Sequence, residues 1–197
     1  MNTTATFLAL GDSYTIGEAV PESGRWPEQL KVLLCDKGID IKQIDSIATT
    51  GWTTDELLKA IEERAPQGNY TYVSLLIGVN NQYRGYNINT YKAEFEQLLN
   101  KAIGYCTDKA NVFVLSIPDW GATPFAEGKD RQAIAKEIDE YNAVAKTIAV
   151  QYGITYIDVT DISRRALHDE TLLANDKLHP SEKMYSLWAI NVLPYIG

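Results

Sequence analysis

Apolar and polar positions change their period repeatedly along this 197-residue chain, and each change marks an element. Residues 5–10 form a short apolar run that reads as a strand ending at Gly11. Residues 25–37 carry apolar side chains at helical spacing and stop at Gly38, a residue suited to closing a helix. A second strand is expected within residues 39–48, mainly in the later half. Thr53, Thr54, Asp55 and Glu56 have the form of a capping box, opening a helix over 56–65. Residues 70–77 are almost continuously apolar, as a central strand covered on both faces requires. Residues 78–89 read as a polar loop and 90–105 as a helix. Residues 111–117 make a fourth strand, closed by Pro118. The stretch 119–129 reads as a loop with Gly121, Pro124 and Gly128 as hinge-capable positions. A long amphipathic helix follows over 130–152, then a fifth strand over 154–159. A short helical stretch covers 161–168, residues 171–180 are irregular, and Ser181 caps a final helix reaching Val192.

Strands alternating with helices imply one parallel sheet covered on both faces and joined by right-handed crossovers. The length suits a single domain over residues 1–197. No apolar stretch approaches the ~20 residues of a membrane span. The N-terminal residues lack the basic start and long apolar segment of a signal peptide. That favours a cytoplasmic location unless a leader was removed. A net charge of -8 argues against a nucleic-acid partner, because phosphate binding relies on clustered Lys and Arg. Cys35 and Cys106 fit no metal or redox spacing and read as buried free thiols. The pattern carries no signal for an oligomeric state.

Ser13 follows the first strand, on a loop where open α/β sheets bind ligands. A serine becomes a nucleophile only when a base takes its proton. The chain has two histidines. His168 follows Arg164 and Arg165 in a charged stretch and is expected to be solvated. His179 stands three residues after Asp176, so one tight turn brings the carboxylate to the imidazole Nδ1–H. That contact fixes the tautomer and leaves Nε2 free to accept a proton. The plainer alternative is that Asp176 only makes a turn before the last helix. In a parallel sheet, however, the loops holding Ser13, Gly51, Asn80 and the 176–179 turn all fall on one rim. Ser13 is then the nucleophile, His179 the base and Asp176 its orienter. The Asn80 amide and the Gly51 N–H are donors for a developing oxyanion.

Gly11-Asp12-Ser13, an isolated Gly51 after the second strand, Gly78-x-Asn80-x and Asp176-x-x-His179-Pro180 together resemble the SGNH hydrolases, or GDSL-type esterases. The four blocks occur in that family's order and span nearly the whole chain. The resemblance implies a flavodoxin-like three-layer α/β/α sandwich with strand order 2-1-3-4-5. It also implies ester or thioester hydrolysis without metal or other cofactor, on small-molecule substrates. By the same resemblance the Ser13 N–H, the Gly51 N–H and the Asn80 side chain form the oxyanion hole, and Asp176 completes a triad. Two positions depart from the pattern. Asn81 stands where the family often has Asp, and Tyr14 replaces the common Leu beside the nucleophile. The G-x-S-x-G elbow of the other large serine-hydrolase family is absent around Ser13.

The expected activity is cleavage of acyl esters through an acyl-enzyme on Ser13. Thioesters or lysophospholipids are alternative substrates for the same machinery. A non-catalytic flavodoxin-like binding module is the alternative of another class, and it leaves the Asp176–His179 pair without a purpose. Candidate substrate contacts are Tyr14, Trp52, Tyr83, Arg84, Trp120 and Phe125. The aromatics are equally suited to covering loop backbone, and Arg84 to pairing with a surface acid.

Overall fold

The apolar runs pair side by side into one five-stranded parallel sheet. A computed structural model describes residues 3–196. Met1, Asn2 and Gly197, which belong to the expected domain, lie outside the described residues. The strands are β1 (Thr3–Gly11), β2 (Ile39–Ala48), β3 (Tyr72–Leu76), β4 (Val112–Leu115) and β5 (Thr155–Ile157). Their order is β2-β1-β3-β4-β5, as expected. β3 is buried along its whole length, which explains its unbroken apolar sequence. β2 pairs with β1 from end to end rather than in its later half alone, with one register shift between Ala5 and Thr6.

The helices are α1 (Ser13–Ile16), α2 (Trp26–Asp36), α3 (Thr54–Arg64), α4 (Val79–Tyr83), α5 (Ile88–Tyr105), α6 (Arg131–Gln151), α7 (Thr160–Arg164) and α8 (Glu182–Val192). Growth of the sheet from β1 to β2 runs opposite to growth from β1 to β3 and beyond. Right-handed crossovers then put α2 on one face and α3, α5 and α6 on the other. Accordingly α2 packs on α8, while α3 packs on α5 and α5 on α6. The core between these layers includes Phe7, Trp26, Phe95, Phe113, Tyr185 and Trp188, each at most 1% exposed. None of the described helices is long and apolar enough to cross a membrane.

Local chemistry sets the helix ends. In the Thr53–Glu56 box, Glu56 Oε2 accepts the Thr53 N–H at 2.9 Å and the Thr53 hydroxyl at 3.0 Å. Ser181 Oγ accepts the Met184 N–H at 3.3 Å. Residues 78–89 are not wholly a loop, because α4 occupies their first part. Five residues are too few to display a helical period, so this helix left no mark in the pattern. Gly78 starts it at φ +132, where a Cβ would also come within 2.6 Å of the Tyr91 ring. The thiols depart from expectation too. Cys35 is exposed and Cys106 only partly buried. On α2 the buried positions are Trp26, Pro27, Leu30 and Leu34, and the residue after Leu34 turns about 100° away from that face.

Candidate active site

Two strand ends and one turn build the site. β1 delivers Ser13 at the start of α1, where its side chain is buried but still borders a cavity. β3 leads through Gly78 into α4, which carries Asn80. After α7 the chain folds back through residues 170–180, and an isolated antiparallel bridge between Leu173 and Pro180 closes this segment. That closure sets the turn 176–179 against α1. The cavity of about 120 Å³ is lined by Ser13, Asn80 and His179, with Tyr14, Val79, Leu178 and three aromatics forming the rest of its wall.

His179 Nδ1 lies 2.6 Å from Asp176 Oδ2. A carboxylate only accepts, so Nδ1 carries the proton and Nε2 is the free acceptor. The other Asp176 oxygen accepts the Leu178 and His179 backbone N–H groups, both at 3.0 Å. Partial burial pushes the Asp176 carboxyl up. The hydrogen bonds from the His179 ring and from the two N–H groups outweigh that, so it stays below the usual carboxylate value. No hydrogen bond joins the Ser13 hydroxyl to the imidazole among the described residues. In unliganded sites such contacts are commonly long and shorten when substrate binds.

The backbone around these groups offers free donors. The Gly51 and Ser13 N–H groups have no hydrogen-bond partner among the described residues. Gly51 has φ +86, the left-handed region that favours glycine, and Arg84 Nη2 holds its carbonyl at 2.6 Å. Asn80 Nδ2 donates to the Trp52 carbonyl at 3.0 Å and reaches Asp12 Oδ2 at 3.5 Å. The second contact is at the limit of a hydrogen bond and is the one most easily exchanged. Asn81 is fully buried and structural: its side chain exchanges hydrogen bonds with the Thr54 N–H and hydroxyl.

Of the candidate substrate contacts, Tyr14, Tyr83, Trp120 and Phe125 line the cavity. Trp52 and Arg84 do not. Trp52 is half-buried against the core, with the Arg64 guanidinium 6.0 Å from its ring centre. Its contribution to the site is its carbonyl. Arg84 holds Gly51 O and pairs with Glu56 at 3.4 Å, so the plainer reading of this residue holds. Gly51 itself is not among the cavity-lining residues. The stretch 119–129 forms two short 3-10 turns rather than a hinged loop. Asp119 ties it down, accepting the Gly121 N–H at 2.9 Å and pairing with Arg164 at 2.9 Å. His168 is exposed, as expected.

Asp12 entered the sequence reading only within the Gly11-Asp12-Ser13 block, with no role of its own. It is fully buried, and its Oδ1 accepts the Tyr14 N–H at 3.0 Å. Burial raises its carboxyl to about 7, against smaller lowering effects from the Tyr14 and Asp12 N–H groups. The unfolded chain releases this proton near the ordinary aspartate value, so folding takes up a proton between about pH 4 and pH 7. Asp12 therefore contributes stability that is fully present below about pH 4 and lost as the pH rises to about 7. Above that, the buried carboxylate costs on the order of a few kcal/mol. Asp12→Asn keeps an oxygen for the Tyr14 N–H and should flatten the fall. Urea unfolding of both proteins across this range checks it, and equal pH slopes would contradict it.

Comparison with known proteins gives the arrangement its context. Residues 9–187 match the model of the GDSL-like lipase/acylhydrolase family. An acetylxylan esterase of Geobacillus stearothermophilus is 24% identical, covering 98% of this chain and 84% of the relative. A crystal structure of the acetylxylan esterase Axe2 from that organism superposes with TM-score 0.77 at 21% identity, covering 100% of this chain and 95% of the other. The psychrotrophic esterase EstA from Pseudoalteromonas, in a structure inhibited by monoethylphosphonate, gives TM-score 0.71 at 18% identity, covering 97% and 96%. The chain belongs to the GDSL-like lipase/acylhydrolase family and is a carboxylic ester hydrolase acting on small-molecule esters.

Proposed function

We propose that the protein hydrolyses short-chain acyl esters through an acyl-enzyme on Ser13. The observation that carries this reading is one cavity bordered by Ser13, Asn80 and a His179 whose Nδ1 is held 2.6 Å from Asp176. His179 Nε2 takes the Ser13 proton as Oγ attacks the ester carbonyl. The Asp176 carboxylate stabilises the imidazolium that forms. The carbonyl oxygen, now negative, is met by the Ser13 and Gly51 N–H groups and by Asn80 Nδ2, which exchanges its long contact to Asp12 for the oxyanion. The imidazolium returns its proton to the leaving alcohol. Water then attacks the acyl-enzyme with His179 again as base, releasing the acid and restoring Ser13.

A cavity of about 120 Å³ holds the acyl part. An apolar cavity of roughly 150 Å³ takes up benzene, so this volume suits a small acyl group. An acetyl group fits, and the likeness to an acetylxylan esterase points the same way. The test is p-nitrophenyl acetate hydrolysis by the purified protein beside Ser13→Ala. Turnover retained by the variant overturns the reading.

A further inference from the structure

Part of the cavity wall is a closed triangle of aromatic rings. Tyr83 meets Trp120 edge-on at 5.2 Å, Trp120 meets Phe125 at 6.0 Å, and Tyr83 meets Phe125 at 6.2 Å. Their environments differ. Tyr83 and Phe125 are 53% and 46% exposed, whereas Trp120 is 6% exposed. Trp120 is thus the inner ring of the wall, and the other two form its outer rim.

One polar contact fixes the inner ring. Trp120 Nε1 donates to Gln82 Oε1 at 2.7 Å, and Gln82 Nε2 donates to Glu137 Oε2 on α6 at 2.7 Å. The direction of this chain is chemically unique. An indole N–H can only donate, so Gln82 must present its oxygen. A carboxylate can only accept, so the Gln82 NH₂ must face Glu137. Gln82 is itself buried, and α4 sets its backbone: its N–H donates to Gly78 O, at the start of the helix that bears Asn80. The same short helix thus holds a candidate oxyanion donor and, two residues on, the latch of the cavity wall. Gln82 is not among the cavity-lining residues.

We propose that Gln82 is a positioning residue that pins the Trp120 indole across the cavity and thereby sets the longest acyl chain the site accepts. This rests on reading the Ser13 cavity as the acyl-binding site. With the latch in place, the indole ends the cavity. Without it, the indole N–H is left buried without an acceptor, a cost that turning the ring toward water relieves. That rotation lengthens the cavity at the cost of its definition.

The test compares kcat/KM on p-nitrophenyl acetate, butyrate and hexanoate for the wild type and Gln82→Met, which keeps the side-chain length but cannot accept the indole proton. The hexanoate-to-acetate ratio should rise by about tenfold, since a misfit of one or two methylenes in an apolar pocket is worth at least that much. A second variant guards against misfolding. Gln82→Glu together with Glu137→Gln retains an acceptor for the indole and reverses the outer bond, and should restore the wild-type ratio. In a Trp120→Phe background, which has no indole proton, Gln82→Met should leave the ratio unchanged. An equal loss on all three esters, or the same rise in the Trp120→Phe background, overturns the proposal. Failure of the underlying reading looks different: ester turnover would then survive Ser13→Ala whatever stands at position 82.

Discussion

Ser13→Ala and His179→Ala should each lower kcat on the order of 10⁴–10⁶-fold, and the double variant should be little worse than either. The non-additivity is the informative part. Ser13 attacks only while His179 takes its proton, so removing either partner removes the same step. The effect on folding should be small. Ser13 makes no side-chain hydrogen bond among the described residues, and the alanine keeps the backbone N–H at the start of α1. His179→Ala leaves Asp176 with its two backbone N–H donors at 3.0 Å, so the turn should keep its shape. Steady-state kinetics on p-nitrophenyl acetate, with thermal unfolding as a control, measures both points. Losses that multiply in the double variant would show that the two residues act independently.

Asn80→Ala should lower kcat by about 10²–10³-fold with little change in KM, because the amide serves the charge of the transition state more than the neutral ester. The geometry makes this a sharp test. Asn80 Nδ2 is anchored at 3.0 Å on Trp52 O and only loosely at 3.5 Å on Asp12, so one hydrogen is free to be recruited. The alternative is a purely structural amide that ties α4 to the segment after β2. In that case the variant loses stability and retains its kcat. Unfolding midpoints and kcat measured together separate the two.

Much of this architecture was legible in the chain. The alternation of apolar runs with helical periods contained the parallel sheet, the resemblance to the GDSL-type blocks supplied its strand order, and the 176–179 turn was readable because its carboxylate and imidazole are three residues apart. Elements shorter than a period were not. α4 gives no repeat, and so Gln82, whose partners lie 38 and 55 residues away, carried no signal at all. Trp52 and Arg84 illustrate the opposite failure. Their side chains have the right chemistry on the right rim, but burial against the core and an ion pair with Glu56 turn them from the cavity. Val79 and Leu178 line it simply as neighbours of Asn80 and His179, a placement that depends on side-chain direction rather than residue type. The raised carboxyl of Asp12 follows from complete burial, which no local pattern reports.

The most direct test is covalent. A fluorophosphonate places a phosphonyl group on an activated serine and on few others, so the wild type should lose activity in step with the incorporation of one adduct. Peptide mass spectrometry should place that adduct on Ser13, and His179→Ala should label far more slowly because the hydroxyl then lacks its base. An adduct on any other serine, or unchanged labelling in His179→Ala, would contradict the account.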